Sequence, residues 1–486
     1  MDRRPTSFLD SPVYAYRYND AMTTGADSGS TRALLREAAE RAATYLEGLG
    51  ERGVAPTADA IARLAAFDRP LPAGPQEATA TLRELDEIAS PATTAMAGGR
   101  FFGFVIGGAL PVSVASNWLA TAWDQNSALH APTPATAVIE QVALKWLLDI
   151  LGLPATAGGA FVTGATMANF SALAAARHAV LRHAGWNVEA DGLFGAPPIT
   201  VVIGEEAHPT LLKSLGMLGL GRSRVLRVPV DDQGRMRADR LPKLTGPAIV
   251  CAQAGNVNTG AFDPFDAIVD AAHADGAWVH VDGAFGLWAA ASPTLRHLVA
   301  GLAAADSWAT DAHKWLNVPY DSGIAFVRDG ASLRAAMAIT ADYLPTENAH
   351  RNPSDYAPEL SRRARGVDVW AVLRTLGRDG VAAMIERSCE HARRFARELE
   401  AGGCKILGDV VLNQVLVEFG DAEATRRVIA AVQDDGTCWC GPTVWQGHTA
   451  MRISVCSWAT TDEDVARSIA AILRVAGVAA LPPATA

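Results

Sequence analysis

The chain has 486 residues, enough for two or three domains and a large core. Apolar residues make up 49% and charged residues 19%, a globular balance that excludes a disordered chain. A formal charge of −10 and a pI near 5.6, with no offsetting basic cluster, argue against a nucleic-acid partner.

The N-terminal stretch MDRRPTSFLDSPVYAYRYND lacks an apolar run long enough for a signal peptide. The first hundred residues read as helices with polar connectors. TRALLREAAERAATYLEGLG (31–50) is amphipathic and ends at a glycine, and QEATATLRELDEIAS (76–90) stops just before Pro91. Two uncharged runs, 101–123 and 150–176, exceed the roughly 20 residues of a membrane span. Pro111 and Asn117 interrupt the first, and Pro154, Gly158-Gly159 and several threonines the second. Both therefore read as buried loop-and-helix segments, and no membrane partner is expected.

After residue 130 the helical stretch ATAVIEQVALKWLLDILG (135–152) opens an alternation of helices with short apolar, β-branched runs. These runs are ITVVI (199–203), RVLRV (224–228), AIVCA (248–252), AWVHVD (277–282) and GIAFV (323–327). Their apolarity on both faces predicts strands covered on both sides, and the alternation predicts a largely parallel α/β sheet. The polar segment 344–366, which includes SRRARG at 361–366, reads as a lid or a disordered stretch, with those arginines a phosphate or interface cluster or a solvated hinge. Past it, the helix 377–403, the strands 410–419 and 449–458 and a final helix suggest a smaller α+β domain. The expected division is an N-terminal helical segment, 1–107, a large α/β domain, 108–365, and the small domain, 366–486. The six cysteines are scattered, and Cys438 and Cys440 form C-x-C rather than a C-x-x-C metal or redox site. They read as reduced thiols, with no metal site, in a cytoplasmic protein.

Ligands of open α/β sheets bind outside the carboxyl ends of the strands. Four features fall there. Asp282 ends AWVHVD, Lys314 follows SWATDAH, His208 follows the strand 199–203, and a small-residue turn, Thr163-Gly164-Ala165-Thr166, precedes a helix. Free amides and the dipole at a helix start suit a phosphate. Singly, each has an ordinary explanation: a snorkelling lysine, a capping aspartate, a structural histidine, a tight turn. Together they match the needs of pyridoxal 5'-phosphate. Its aldehyde takes a lysine amine, its pyridine nitrogen takes a carboxylate, and its ring takes a stacked imidazole.

At these residues the chain resembles the group II pyridoxal-phosphate decarboxylases, relatives of aromatic-amino-acid and glutamate decarboxylase. The match is best over residues 95–376, with H-K-W at 313–315 and H-V-D-x-A at 280–284 as its most specific pieces. The resemblance implies the aspartate-aminotransferase fold (fold type I) and a homodimer with active sites at the subunit interface. It makes Lys314 the Schiff-base lysine, Asp282 the partner of the pyridine nitrogen, His208 the stacking histidine and Ala284 the small residue on the other ring face. Gly164, Ala165 and Thr166 fall at the phosphate, with His313 nearby, and Tyr343 at a mobile-loop tyrosine. Two departures stand out. Val257 replaces a cofactor-contacting threonine, and Val105, Ile106 and Gly107 replace a tyrosine, phenylalanine and proline of the substrate pocket, against an aromatic substrate. The implied activity is decarboxylation of an L-amino acid to its amine. An aminotransferase, suggested by Arg452, and a decarboxylation-dependent aldehyde synthase are the alternatives within the enzyme class. A non-enzymatic protein of this fold is disfavoured by retention of Lys314 and Asp282.

Overall fold

The computed structural model describes residues 28–339 and 350–479. It divides into two compact units, Met1–Glu51 with Pro56–Thr93, and Arg52–Ala55 with Thr94–Ala486.

The described part of the first unit is helical: Ser28–Glu47, Ala58–Arg63 and Ala78–Ala92. The third helix runs past the stop expected at Pro91. A proline in the last turn forfeits only the hydrogen bond to the carbonyl four residues back. That carbonyl, of Glu87, accepts instead from the Arg63 guanidinium at 3.1 Å. The helix start is equally local, since the Glu77 carboxylate accepts from the backbone N–H of Thr79 and Ala80.

The second unit is built on a seven-stranded sheet. Its strands are β1 (Gly158–Val162), β2 (Thr200–Gly204), β3 (Leu226–Val228), β4 (Ala248–Gln253), β5 (Trp278–Asp282), β6 (Ser307–Asp311) and β7 (Gly323–Val327). Their order is β1-β7-β6-β5-β4-β2-β3. All neighbours from β3 to β6 pair in parallel, while β7 pairs antiparallel with both β6 and β1. The reversal explains the sequence around Lys314. Parallel neighbours need a crossover of a dozen or more residues, whereas an antiparallel neighbour can follow after a short loop. The H-K-W loop is that short return. β4, β6 and β7 are buried almost throughout, as their unbroken apolar runs require. Phe161 and Phe326 are fully buried among them, each worth about 1.5–3 kcal/mol of transfer free energy.

A smaller antiparallel sheet follows: β8 (Lys405–Leu407), β9 (Gln414–Glu418), β10 (Gly441–Trp445) and β11 (His448–Ser454), in the order β10-β11-β9-β8. Helices Gly366–Ala401, Ala422–Asp435 and Asp462–Ala479 supply apolar side chains to the core against it. The first begins eleven residues before the expected start at 377, and Gly377 (φ 60°) breaks it into two segments. Only glycine takes that backbone without strain.

The described part of the expected lid is anchored. Arg362 is fully buried, pairing with Glu140 at 2.8 Å and donating to the Phe161 carbonyl at 2.7 Å. Arg351 also pairs with Glu140 and stacks over Tyr356. Arg365 is buried against Asp321, and of the three arginines only Arg363 is exposed. SRRARG is therefore not a solvated hinge. A buried Glu140 needs countercharge, and the chain supplies it from two arginines. Among the described residues no helix is long and apolar enough to cross a membrane.

Candidate active site

β1, β2, β4, β5 and β6 carry their carboxyl ends to one cavity of about 330 Å³, within the range of small-molecule sites. Lys314, Asp282, His208, Gly164, Ala165, Thr166, Ala284 and His313 all line it. Eight of the nine expected site residues thus meet in one place; Tyr343 lies outside the described residues.

Lys314 occupies the short helical turn Ala312–Trp315 directly after β6. Trp315 is fully buried beside it, and a side chain at Gly107 would come within 2.0 Å of the Lys314 carbonyl. That close approach is why position 107 is glycine, and it fixes the lysine backbone. The lysine Nζ lies 2.8 Å from Asp311 Oδ2.

Asp282 is held from behind by a buried chain of hydrogen bonds. Its Oδ1 accepts from the Ala284 N–H at 3.2 Å, and its Oδ2 from Asn169 Nδ2 at 3.1 Å. Asn169 Oδ1 lies 2.8 Å from His280 Nε2, His280 Nδ1 lies 2.9 Å from Ser307 Oγ, and Ser307 Oγ accepts from Trp278 Nε1 at 2.9 Å. The two ends set the polarity. An indole N–H can only donate and a carboxylate can only accept, so His280 accepts at Nδ1 and donates from Nε2. Burial pushes the His280 pKa down to about 3, so the ring stays neutral in this tautomer. Asn169→Ala is expected to cost about 1–3 kcal/mol of unfolding free energy by orphaning one end of His280. Urea denaturation measures it, and an unchanged midpoint would contradict the chain.

His208 caps the helix Pro209–Met217, where its Nδ1 accepts from the Thr210 N–H at 3.3 Å. The same nitrogen lies 2.7 Å from Thr210 Oγ1, so Thr210 fixes the ring from both its amide and its hydroxyl. Burial pulls its pKa below the usual histidine value, Asp282 opposes this, and the charges of Lys314 and Arg452 add to it. Arg452 reaches from β11 to donate to the Val257 carbonyl at 3.1 Å, and Val257 lines the cavity. Among the described residues no carboxylate pairs with Arg452, whose pKa burial lowers. At the helix start Ala165–His183, a side chain at Gly323 would come within 2.4 Å of Gly164 Cα, so β7 presses against the amide turn. Beside it, His313 accepts at Nδ1 from the Ser322 N–H at 3.0 Å and stacks on Tyr320.

A lysine amine, a fixed carboxylate, an imidazole and an amide turn now share one cavity. A family model described as the pyridoxal-dependent decarboxylase conserved domain matches residues 62–416. The chain belongs to that family. Among relatives, it is 28% identical over 415 residues to tryptophan decarboxylase 1 of Oryza sativa, covering 77% of this chain and 80% of that one. It is 30% identical over 379 residues to L-2,4-diaminobutyrate decarboxylase of Rhizobium meliloti, covering 74% and 72%. A solved structure of the Oryza sativa TDC with PLP and tryptamine superimposes with a TM-score of 0.87, covering 93% of this chain and 99% of that one at 24% identity.

The residues fit the family's cofactor, pyridoxal 5'-phosphate. The amine and the carboxylate stand at the ends of adjacent strands, β6 and β5, and the amide turn opens onto the same cavity. Lys314 and Asp282 would hold the aldehyde and pyridine ends, and the 164–166 turn the phosphate, through amides other than that of Ala165, which donates to Asp311 at 2.6 Å.

Other parts of this decarboxylase site were not legible beforehand. Asp311, Asn169 and Ser307 carried no signal by themselves. His280 could have been found, because residues two apart on a strand share a face and His280 stands two before Asp282. Of the expected pocket residues Val105 lines the cavity, joined by Phe104 in place of Ile106 and Gly107, and Gly107 packs on the Lys314 backbone. Both lining residues have positive φ, 60° and 98°, a strained backbone for a phenylalanine and a valine. Trp439 of the small domain holds the loop there, stacking on Phe101 at 5.0 Å and on Phe104 at 5.6 Å. An aromatic ring therefore stands at the cavity after all.

Proposed function

We propose that this chain decarboxylates an L-amino acid to its amine, with Lys314 bonding the aldehyde carbon of pyridoxal 5'-phosphate. Bound, the cofactor supplies an electron sink for the charge left at Cα when carbon dioxide departs. The carrying observation is the meeting of Lys314, Asp282 and the 164–166 turn in one cavity. In this reading Asp282, anchored through Asn169, would hold the pyridine nitrogen and favour its protonated form. His208 and Ala284 would flank the ring. Arg452, the residue that suggested an aminotransferase, donates to the Val257 carbonyl and is not among the residues lining the cavity. Tyr343 delivers the proton that replaces the carboxyl group at Cα. The ring of Phe104, backed by Trp439, favours a flat or apolar substrate side chain.

The active form is proposed to be a homodimer with its sites at the subunit boundary. The helix Pro111–Trp123 exposes Trp118, Leu119 and Trp123, an apolar face of the kind that oligomers cover. The cysteines of the chain are free, which suits a reducing compartment such as the cytoplasm.

The test is incubation of the cofactor-loaded protein with aromatic, acidic and diamino L-amino acids, with products identified by mass spectrometry. Amine and carbon dioxide in equal amounts are expected, with an aromatic or apolar substrate preferred. Turnover requiring an added keto acid would identify an aminotransferase, and aldehyde with ammonia and peroxide an aldehyde synthase. In Tyr343→Phe, amine formation is expected to slow by roughly 10²–10⁴-fold. An unchanged rate of amine formation would remove the phenol from the mechanism.

A further inference from the structure

Asp311 ends β6, three residues before Lys314, and its side chain is almost wholly buried. Its two oxygens do different things. Oδ1 accepts from the Ala165 backbone N–H at 2.6 Å, at the first residue of the helix that opens the amide turn. Oδ2 lies 2.8 Å from Lys314 Nζ. The carboxylate is itself fixed, because the Asp311 N–H donates to the Ala284 carbonyl and the Asp311 carbonyl accepts from Trp288 Nε1. One residue therefore joins the phosphate end of the cavity to the amine end.

We propose that Asp311 is a positioning residue that presets Lys314 relative to the amide turn, so that the amine already faces an incoming aldehyde. This rests on the reading of Lys314 as the cofactor lysine. A lysine side chain has four rotatable bonds, and ordering it carries an entropy cost of up to about 2 kcal/mol. A buried carboxylate at ion-pair distance meets that cost before the cofactor arrives, so capture is faster. It can also take the ammonium proton, so that the neutral amine bonds the aldehyde carbon and the aldehyde oxygen leaves as water. The bond to Ala165 uses one of the four N–H groups that a helix start leaves without partners, and the others stay available to a phosphate.

The substitution Asp311→Asn separates the two contacts. An amide is isosteric with the carboxylate but has one acceptor and one donor group. The Ala165 N–H is fixed in the backbone and requires the oxygen. The NH2 group then faces the lysine ammonium, donor against donor, and the lysine turns away.

The experiment prepares wild type, Asp311→Asn and Asp311→Ala as full-length proteins, strips the cofactor, and compares two probes. Pyridoxal 5'-phosphate can bond to the lysine; pyridoxamine 5'-phosphate has the same ring and phosphate but no aldehyde. Capture of the first is followed by absorbance, and affinity for the second by tryptophan fluorescence. In Asp311→Asn the capture rate is expected to fall tenfold to a hundredfold, the range of losing a hydrogen bond to a charged group, roughly 1.5–3 kcal/mol. Affinity for pyridoxamine phosphate is expected to stay within about threefold of wild type, a change under 1 kcal/mol. In Asp311→Ala both are expected to fall. Wild-type capture in Asp311→Asn, or parallel loss of both probes in that variant, would overturn the positioning role. A wild-type protein that binds neither probe would instead overturn the cofactor assignment on which it rests.

Discussion

On the proposed reading, in which Lys314 bonds the cofactor, Lys314→Ala is expected to lose decarboxylation by at least on the order of 10³-fold, within the roughly 10²–10⁴-fold that a positioned catalytic side chain contributes. The fold should survive. Truncation leaves Asp311 bonded to Ala165 and removes a side chain that is still one-fifth exposed, at 22%. Borohydride treatment of the loaded wild type is expected to leave the cofactor on the peptide containing Lys314, and treatment of the variant to leave none. Label on Lys213 or Lys243 instead would move the reactive amine elsewhere. Lys243 pairs with Asp275 at an exposed position remote from the cavity lining, so its labelling would also place the cofactor outside this cavity.

Asp282→Ala is expected to keep the cofactor and lose the reaction. On the proposed reading Lys314 and the 164–166 turn would remain to hold the aldehyde and phosphate ends, whereas the pyridine nitrogen would lose its charge partner. Removing one preorganised electrostatic partner typically costs on the order of 10²–10³-fold in turnover. The same substitution leaves Asn169 Nδ2 without its acceptor in a fully buried position, so unfolding free energy should fall by about 1–3 kcal/mol. Cofactor content, measured after alkaline release, separates the two effects. Near-normal turnover at full cofactor content would exclude Asp282 from the mechanism.

Five of the seven strands of the large sheet, its parallel part and the residues at the strand ends were readable from the chain itself. β3, expected to be covered on both faces, instead leaves Leu226 and Arg227 exposed at the sheet edge. A strand buried on both faces must be apolar throughout, and a polar residue closing such a run is conspicuous. Asp282, Lys314 and His208 were visible for that reason, and H-K-W and H-V-D-x-A carried the family. The rest came from packing in three dimensions. That β7 turns back beside β6 is a pairing between segments, and periodicity does not report pairing direction. Asn169 and Ser307 look like any polar residues on a helix and a strand until His280 is packed between them. Asp311 reads as the end of a strand until the helix start at Ala165 and the amine of Lys314 arrive at its two oxygens. The substrate wall depended most on distant contacts. The family resemblance put Val105, Ile106 and Gly107 at the pocket, and of these Val105 lines it. Phe104 joins it because Trp439, more than three hundred residues away in the chain, stacks on Phe101 and Phe104 and holds the loop in a backbone that no local preference would choose.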